Sequence, residues 1–152
     1  MSKIEAFLTP TEEAQIIEAI RLAEQNTSGE IRVHMEANSS PTNSKTKIDV
    51  LDRAAQVFDI LHMGNTKLSN GVLIYVAVED RELVIMGDKG INDLVAPDFW
   101  ESTKNAIISK FQHAEMANGL VDGILKAGQQ LKNHFPYEEG DANELSDEIS
   151  IG

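Results

Sequence analysis

The sequence predicts an α/β domain built around a small mixed β-sheet. Three segments carry this prediction: residues 30–36 alternate apolar and polar side chains, residues 48–61 carry apolar side chains at helical spacing, and residues 72–78 form a continuous apolar run. A strand–helix–strand unit makes a right-handed crossover, which pairs its two strands in parallel. A turn at residues 79–81 leads into a second apolar run, residues 83–86, so the second and third strands should form an antiparallel hairpin.

Length and composition indicate one ordinary globular domain. The chain has 152 residues, 41% of them hydrophobic and 25% charged, which is enough to build one core. It has no cysteine, which excludes disulfides, thiolate metal sites and thiol nucleophiles. The sequence shows no signal peptide, and no run approaches the ~20 apolar residues of a membrane span. We therefore expect a cytoplasmic protein without a membrane span.

Capping signals predict where two helices begin. Thr9 is the expected N-cap of the first helix, with Pro10 at the first helical position and Glu12 completing a capping box. Asp98 and Glu101 have the same spacing and predict the start of a later helix. The side chains expected to face the core are Ile16, Ile17, Ile20 and Ala23 in the first helix, and Trp100, Ile107, Ile108 and Phe111 in the later one.

Two more helices are predicted from apolar spacing. The expected buried stripe of the second helix consists of Ile48, Leu51, Ala55 and Phe58. The last helix spans residues 115–135. It carries Gly119 and Gly123 one turn apart, which would let it approach a neighbouring helix closely, so packing is the expected reason for these glycines.

Half of the formal charge of −12 lies at the C-terminal end. Residues 137–152 contain six of the 25 acidic residues and none of the 13 basic ones. This segment is acidic and poor in apolar groups, so we predict a disordered tail after a domain at residues 1–136, with Leu145 and Ile149 as the side chains that could dock on the domain. The domain shows no basic patch for phosphate, and nucleic acid is therefore not an expected partner.

A series of short motifs runs in order through residues 9–135. They are Ser28-Gly29-Glu30-Ile31, Leu61-His62-Met63-Gly64, Asn70-Gly71-Val72-Leu73, Asp80-Arg81, residues 87–91 and residues 115–120. As an ordered set they resemble the TPM domain, a family named for thylakoid-lumen, photosystem-repair and receptor-modulator proteins. The resemblance implies a three-layer α/β/α sandwich around a small mixed sheet, of Rossmann-like type.

The same resemblance implies functions to expect. Some members of the family bind calcium, a plant branch is described as an acid phosphatase, and many members are exported and membrane-anchored. This chain departs from the family in lacking a recognisable signal and anchor. It also carries Asp88-Lys89 between Gly87 and Gly90, where the family more often has a single residue.

The first candidate metal site is the loop after the third predicted strand. Asp88 and Asp93 offer carboxylates there, Gly90 and Asn92 offer carbonyl and amide oxygens, and Glu30 at the start of the adjacent strand adds a third carboxylate. Oxygen ligands without cysteine or clustered histidine favour calcium or magnesium over zinc or copper. The simpler interpretation is that the two aspartates stabilise a turn and a following helix.

The alternative candidate lies at the carboxyl ends of the two parallel strands, where open α/β sheets bind ligands. Glu36 ends the first strand, Glu79 and Asp80 lie in the hairpin turn, and all three face the polar loop at residues 38–47. At ~3.3 Å per residue, Asp80 and Asp88 are more than ~20 Å apart and cannot share one ion. The simpler interpretation of this group is a solvated hairpin tip.

No catalytic residue is predicted. The four histidines, His34, His62, His113 and His134, do not form a metal motif, and no phosphate-binding fingerprint or phosphatase nucleophile motif occurs. The sequence therefore favours a non-enzymatic domain that binds calcium or magnesium and acts on a protein partner. Two other hypotheses stay open: a weak metal-dependent acid phosphatase, and an interaction domain that needs no metal.

Overall fold

The computed structural model describes residues 7–40, 47–112, 115–137 and 146–151. Within these ranges the helices are α1 (Pro10–Glu24), α2 (Val50–Ile60), α3 (Lys89–Asn92), α4 (Glu101–Gln112) and α5 (Met116–Lys132). The strands are β1 (Glu30–Glu36), β2 (Gly71–Ala77), β3 (Glu82–Gly87) and β4 (Ser150–Ile151).

The strands form one mixed sheet in the order β3-β2-β1-β4. β1 and β2 are parallel, from Glu30 opposite Gly71 to Glu36 opposite Ala77, and β2 and β3 are antiparallel. The predicted parallel pairing and the predicted hairpin are both confirmed.

Helices cover both faces of the sheet, which confirms the three-layer α/β/α architecture. Ile31, Val33 and Ile74 lie in the larger core cluster with apolar residues of α1, α4 and α5. Leu73 and Tyr75 lie on the opposite face with Ala54 and Val57 of α2. Every residue of β2 is buried, because helices pack on both of its faces, and this explains its run of apolar residues without alternation.

α1 begins where the sequence predicts. The side-chain oxygen of Thr9 accepts the backbone N–H of Glu12 at 3.1 Å, and the Glu12 carboxylate accepts the N–H of Thr9 at 2.9 Å. These two bonds make a complete capping box. Ile16, Ile20 and Ala23 are buried as expected.

The predicted buried face of α2 is right at Phe58, which packs against the smaller core cluster, and wrong at Leu51 and Ala55. Ala54 and Val57 are the fully buried side chains of this helix, whereas Leu51 is 54% exposed and Ala55 is exposed as well. Leu51 and Ala55 are the residues directly after Val50 and Ala54, so two apolar stripes lie about 100° apart on one helix. Periodicity alone cannot choose between adjacent stripes, and contact with the sheet selects the one that contains Ala54.

The segment after β3 also differs from the prediction. It is not an open glycine-rich loop: Asp88 is the N-cap of α3, and its side chain accepts the N–H of Lys89 at 2.7 Å. α4 begins at Glu101 rather than at Asp98. The N–H of Glu101 bonds to the carbonyl of Asp98, three residues earlier, so the predicted helix start is a tight turn.

α4 and α5 pack closely at the two predicted glycines. A Cβ built on Gly123 would lie 2.3 Å from Cδ1 of Ile107, and one on Gly119 would lie 3.0 Å from Cβ of Lys110. A Cβ at Gly123 would require Ile107 to move, and one at Gly119 would be closer to Lys110 than most Cβ contacts. The packing interpretation of these glycines is confirmed.

The C-terminal segment is partly described. Residues 138–145, which form much of the predicted tail, lie outside the described residues. Ser150 and Ile151 pair in parallel with His34 and Met35 of β1, so the prediction of disorder is wrong for these two residues. Ile149 and Ile151 pack against the larger core cluster, which supplies the apolar contact that makes this pairing possible.

Candidate functional site

Two loops meet at the carboxyl ends of β1 and β2. The N–H of Val78 donates to the carbonyl of Glu36, and the N–H of Glu79 donates to the carbonyl of Ala37, both at 2.8 Å. The parallel pairing therefore continues beyond the strands and holds the chain after β1 against the hairpin turn. Most of the predicted polar loop, residues 41–46, lies outside the described residues.

Asp80 joins these two loops through Ser39. One carboxylate oxygen of Asp80 accepts the N–H of Ser39 at 2.9 Å and lies 3.4 Å from its hydroxyl oxygen. The hydroxyl of Ser39 also lies 3.1 Å from the carbonyl oxygen of Ile48. Ser39 is buried and Asp80 is exposed, so the aspartate anchors the loop and remains open to solvent.

Two more contacts complete the arrangement. Glu79 accepts a hydrogen bond from the side-chain amide of Asn38 at 3.1 Å. The Ser40 hydroxyl accepts the N–H of Ile48 at 2.8 Å. We call this group the loop cluster; its members are Asn38, Ser39, Ser40, Ile48, Glu79 and Asp80. It brings two carboxylates, two hydroxyls and a carbonyl to one end of the sheet.

Glu36 takes part in a separate, buried network. Arg53 donates to its carboxylate twice, from Nε at 2.8 Å and from Nη2 at 3.0 Å. The hydroxyl of Tyr75 and Nε2 of His34, the latter at 2.9 Å, bond to the same carboxylate. Glu36 was predicted to bind a metal ion. In the structure, both of its carboxylate oxygens accept hydrogen bonds from other side chains of the protein.

The network keeps Glu36 ionised. Burial by itself would raise the pKa of this carboxyl, but hydrogen bonds from His34, Arg53 and Tyr75 and the charge of Arg53 outweigh burial and lower the pKa to about 2. A carboxylate only accepts, so Nε2 of His34 donates to it. Nδ1 of the same ring lies 2.9 Å from the hydroxyl oxygen of Ser150, which connects the network to β4.

The other predicted site is spread over several elements. Asp88 caps the start of α3, and Asp93 is the C-cap of the same short helix. Glu30 is on β1, and β2 separates it from β3; at ~4.8 Å between neighbouring strands, the backbones of Glu30 and Asp88 are ~10 Å apart. Among the described residues, no group of three or more Asp, Glu or His side chains is arranged to hold a metal ion. The predicted metal sites are not confirmed.

Sequence reasoning missed a cluster of carboxyl groups at the outer edge of β1. Glu24, near the end of α1, accepts the backbone N–H of Ile31 at 3.0 Å. Its side chain is also hydrogen-bonded to those of Asp147 and Glu30. Burial, followed by the bonds to Asp147 and Glu30, raises the pKa of Glu24 well above its ordinary value. We call Glu24, Glu30 and Asp147 the acidic edge.

No local signal identifies the acidic edge or the Glu36 network. His34 and Glu36 are close in the sequence, as are Glu24 and Glu30, but their partners Tyr75, Ser150 and Asp147 are distant and are brought to them by the tertiary structure. His34 illustrates the point, since its isolated position in the sequence conceals its contacts with Glu36 and Ser150. His62 follows α2 with a positive φ of 55°, and His113 lies outside the described residues.

The fold and its polar clusters define an α/β/α sandwich with a mixed sheet and an oxygen-rich loop cluster at one end. In the part of the chain that the structure describes, no helix is long and apolar enough to cross a membrane. A family model for the TPM domain matches residues 2–130, and the chain belongs to the TPM domain family. A comparison with curated proteins gives no match.

Solved structures agree with this assignment. The BA42 protein from the psychrophilic bacterium Bizionia argentinensis is 57% identical, with 100% of each chain covered and a TM-score of 0.86. The N-terminal domain of a protein from P. gingivalis is 18% identical, with 87% of this chain and 82% of that chain covered and a TM-score of 0.64. The N-terminal domain of the cg2496 protein from Corynebacterium glutamicum is 12% identical, with coverage of 95% and 80% and a TM-score of 0.59. The last two show likeness of fold alone.

Proposed function

We propose that this TPM domain binds a divalent cation, calcium or magnesium, at the loop cluster and acts as a binding module rather than an enzyme. The observation that carries the proposal is the convergence of three oxygens: the hydroxyl oxygen of Ser39 lies 3.4 Å from a carboxylate oxygen of Asp80 and 3.1 Å from the carbonyl oxygen of Ile48. These are hard oxygen donors, the kind that calcium and magnesium prefer.

The two carboxylates of the loop cluster also favour a cation, against the exposed positive charges of Lys47 and Arg81, which adjoin Ile48 and Asp80 in the chain. Glu79 and Asp80 are exposed, so an ion can reach their carboxylates from solvent. The nearby positive charge of Arg53 is balanced by its two hydrogen bonds to Glu36. The described members of the cluster supply fewer than the six to eight oxygen ligands that calcium takes, and water would complete the shell.

The non-enzymatic part of the proposal rests on the same contacts. The chain has no cysteine. The Ser39 hydroxyl is directed to the carbonyl of Ile48 and its residue is buried, so it is not presented to a substrate as a nucleophile. A binding module that uses a cation to hold its two loops together fits this arrangement.

Calorimetric titration with calcium and with magnesium tests the proposed site. The parent protein should bind at least one of the two ions, and Asp80→Asn should weaken that binding at least tenfold. Asp88→Asn, at the opposite end of the hairpin, is the matched control and should bind like the parent. Absence of binding in the parent, or a loss confined to Asp88→Asn, would rule the loop cluster out.

A second assay tests the non-enzymatic part. The parent protein should not release phosphate from an aryl phosphate at acidic pH above the background rate. Turnover that disappears with a chelator and in Asp80→Asn would instead establish a metal-dependent phosphatase at the same cluster.

A further inference from the structure

We propose that the outer edge of β1 is an acceptor for an extended segment of a partner protein that carries a lysine or arginine, and that residues 146–151 of the chain itself occupy this edge when the partner is absent. The partner would add a parallel strand to the sheet, a mode of recognition in which backbone bonds give affinity and side-chain positions give specificity.

The two edges of β1 are paired to different extents. Its inner edge pairs with β2 along all seven residues. Within the part of the chain that the structure describes, its outer edge pairs with β4 at His34 and Met35 alone. Near the start of β1, the N–H of Ile31 donates to the Glu24 side chain at 3.0 Å and not to the backbone of a neighbouring strand. The edge is therefore longer than the strand that covers it.

The chain's own segment is a poor electrostatic match for this edge. Ser150 pairs with His34, and Asp147, three residues earlier, reaches the Glu24 side chain that accepts the N–H of Ile31. There it is hydrogen-bonded to Glu24, which also bonds to Glu30. Three carboxyl groups meet here without a basic side chain among the described contacts of Glu24, and burial followed by the bonds to Asp147 and Glu30 raises the pKa of Glu24.

A basic residue at the position of Asp147 would reverse this mismatch. A lysine or arginine there would donate charge-assisted hydrogen bonds to Glu24 and Glu30 in a partly buried setting, where such bonds are strong. Both carboxyl groups would then ionise without repelling a third. Charge complementarity thus favours a basic strand over the chain's own acidic one.

The remaining contacts define the rest of the partner's pattern. Nδ1 of His34 lies 2.9 Å from the hydroxyl oxygen of Ser150, so a hydroxyl side chain fits this position. Ile149 and Ile151, on either side of Ser150, pack on the core cluster. The expected segment therefore has a basic residue, then one residue of any type, then an apolar residue, a serine or threonine, and a second apolar residue.

Labelled peptides binding to the full-length chain test this proposal. One peptide has the sequence of residues 146–152, a second carries Asp147→Lys, and a third carries Glu148→Lys. The second and third have the same net charge, and Glu148 is exposed in the structure. The Asp147→Lys peptide should bind at least tenfold more tightly than either of the others, and the backbone NMR signals of Ile31 and His34 should shift on binding.

A variant of the chain provides an independent check. Asp147→Lys in the full-length protein should raise the melting temperature and block the peptide, whereas Glu148→Lys should do neither. The proposal is overturned if the two lysine peptides bind equally, or if none binds. It is also overturned if the protein forms a dimer by exchanging residues 146–151, because the edge would then belong to a second copy.

Discussion

Arg53 of α2 donates two hydrogen bonds, of 2.8 and 3.0 Å, to the carboxylate of Glu36, the last residue of β1. This pair ties the single helix on one face of the sheet to its central strands. It also isolates Glu36 from the neighbouring loop cluster. The stability of this layer and the chemistry of the loop cluster can therefore be tested separately.

Removing the arginine should destabilise the fold. In Arg53→Met the ionised Glu36 stays buried without its cation, and we expect the free energy of unfolding to fall by about 2–3 kcal/mol. Urea denaturation followed by circular dichroism measures this. Arg21→Met is the control, since the Arg21–Glu18 pair is exposed and its loss should cost less than ~0.5 kcal/mol. Equal losses in the two variants would contradict the buried role of Arg53.

The Glu36 network should make the free energy of unfolding depend on pH in the acid range. The fold lowers the pKa of Glu36 from 4.5 to about 2, so its stabilising contribution is present above pH 4.5 and is lost as the pH falls towards 2. The unfolding free energy of the parent should drop across this window, and Glu36→Gln should flatten the drop. Glu101→Gln, an exposed substitution on α4, should keep the parent's slope.

The contribution of Glu24 to stability should depend on pH in the opposite way to that of Glu36. Its pKa is raised above 4.5 in the folded state, mainly by burial. The contribution of this group is therefore present below pH 4.5 and is lost as the pH rises towards the raised value. Unfolding measured from pH 5 to pH 9 should show a decline in the parent that is smaller in Glu24→Gln, whose amide oxygen can still accept the N–H of Ile31. A parallel decline in both proteins would count against a protonated Glu24.

Gly123 provides a test of helix packing. Alanine favours a helix by ~1 kcal/mol relative to glycine, but its Cβ would lie 2.3 Å from Cδ1 of Ile107, and overpacking costs about 1–3 kcal/mol. Gly123→Ala should therefore lower the unfolding free energy by up to ~2 kcal/mol. In an Ile107→Ala background the same change should be neutral or stabilising. A cost that does not depend on Ile107 would show that the contact is not responsible.

Local sequence patterns predicted the central strands and the start of the first helix. The alternation of residues 30–36 and the apolar run that becomes β2 predicted these strands correctly, because a strand repeats every two residues and a buried one is apolar throughout. The Thr9 cap was predictable for a similar reason, since its bonds reach only three residues along the chain.

The candidate site was predictable only in part. Glu79 and Asp80 could be placed near the chain after β1 from the expected parallel pairing, and the structure confirms that proximity through Ser39. The engagement of Glu36 by Arg53 could not be predicted, since nothing in a helical pattern shows which side chain reaches back to the sheet. The same reason explains the wrong prediction at Leu51 and Ala55 of α2.

The sequence by itself determined the first three strands, the parallel and antiparallel pairing between them and the four longer helices, because these depend on patterns within short segments of the chain. Tertiary structure decided the fourth strand, the acidic edge and the partners of Glu36. These depend on contacts such as His34 with Ser150, 116 residues apart. Such contacts form only when the burial of apolar side chains has already brought distant segments together.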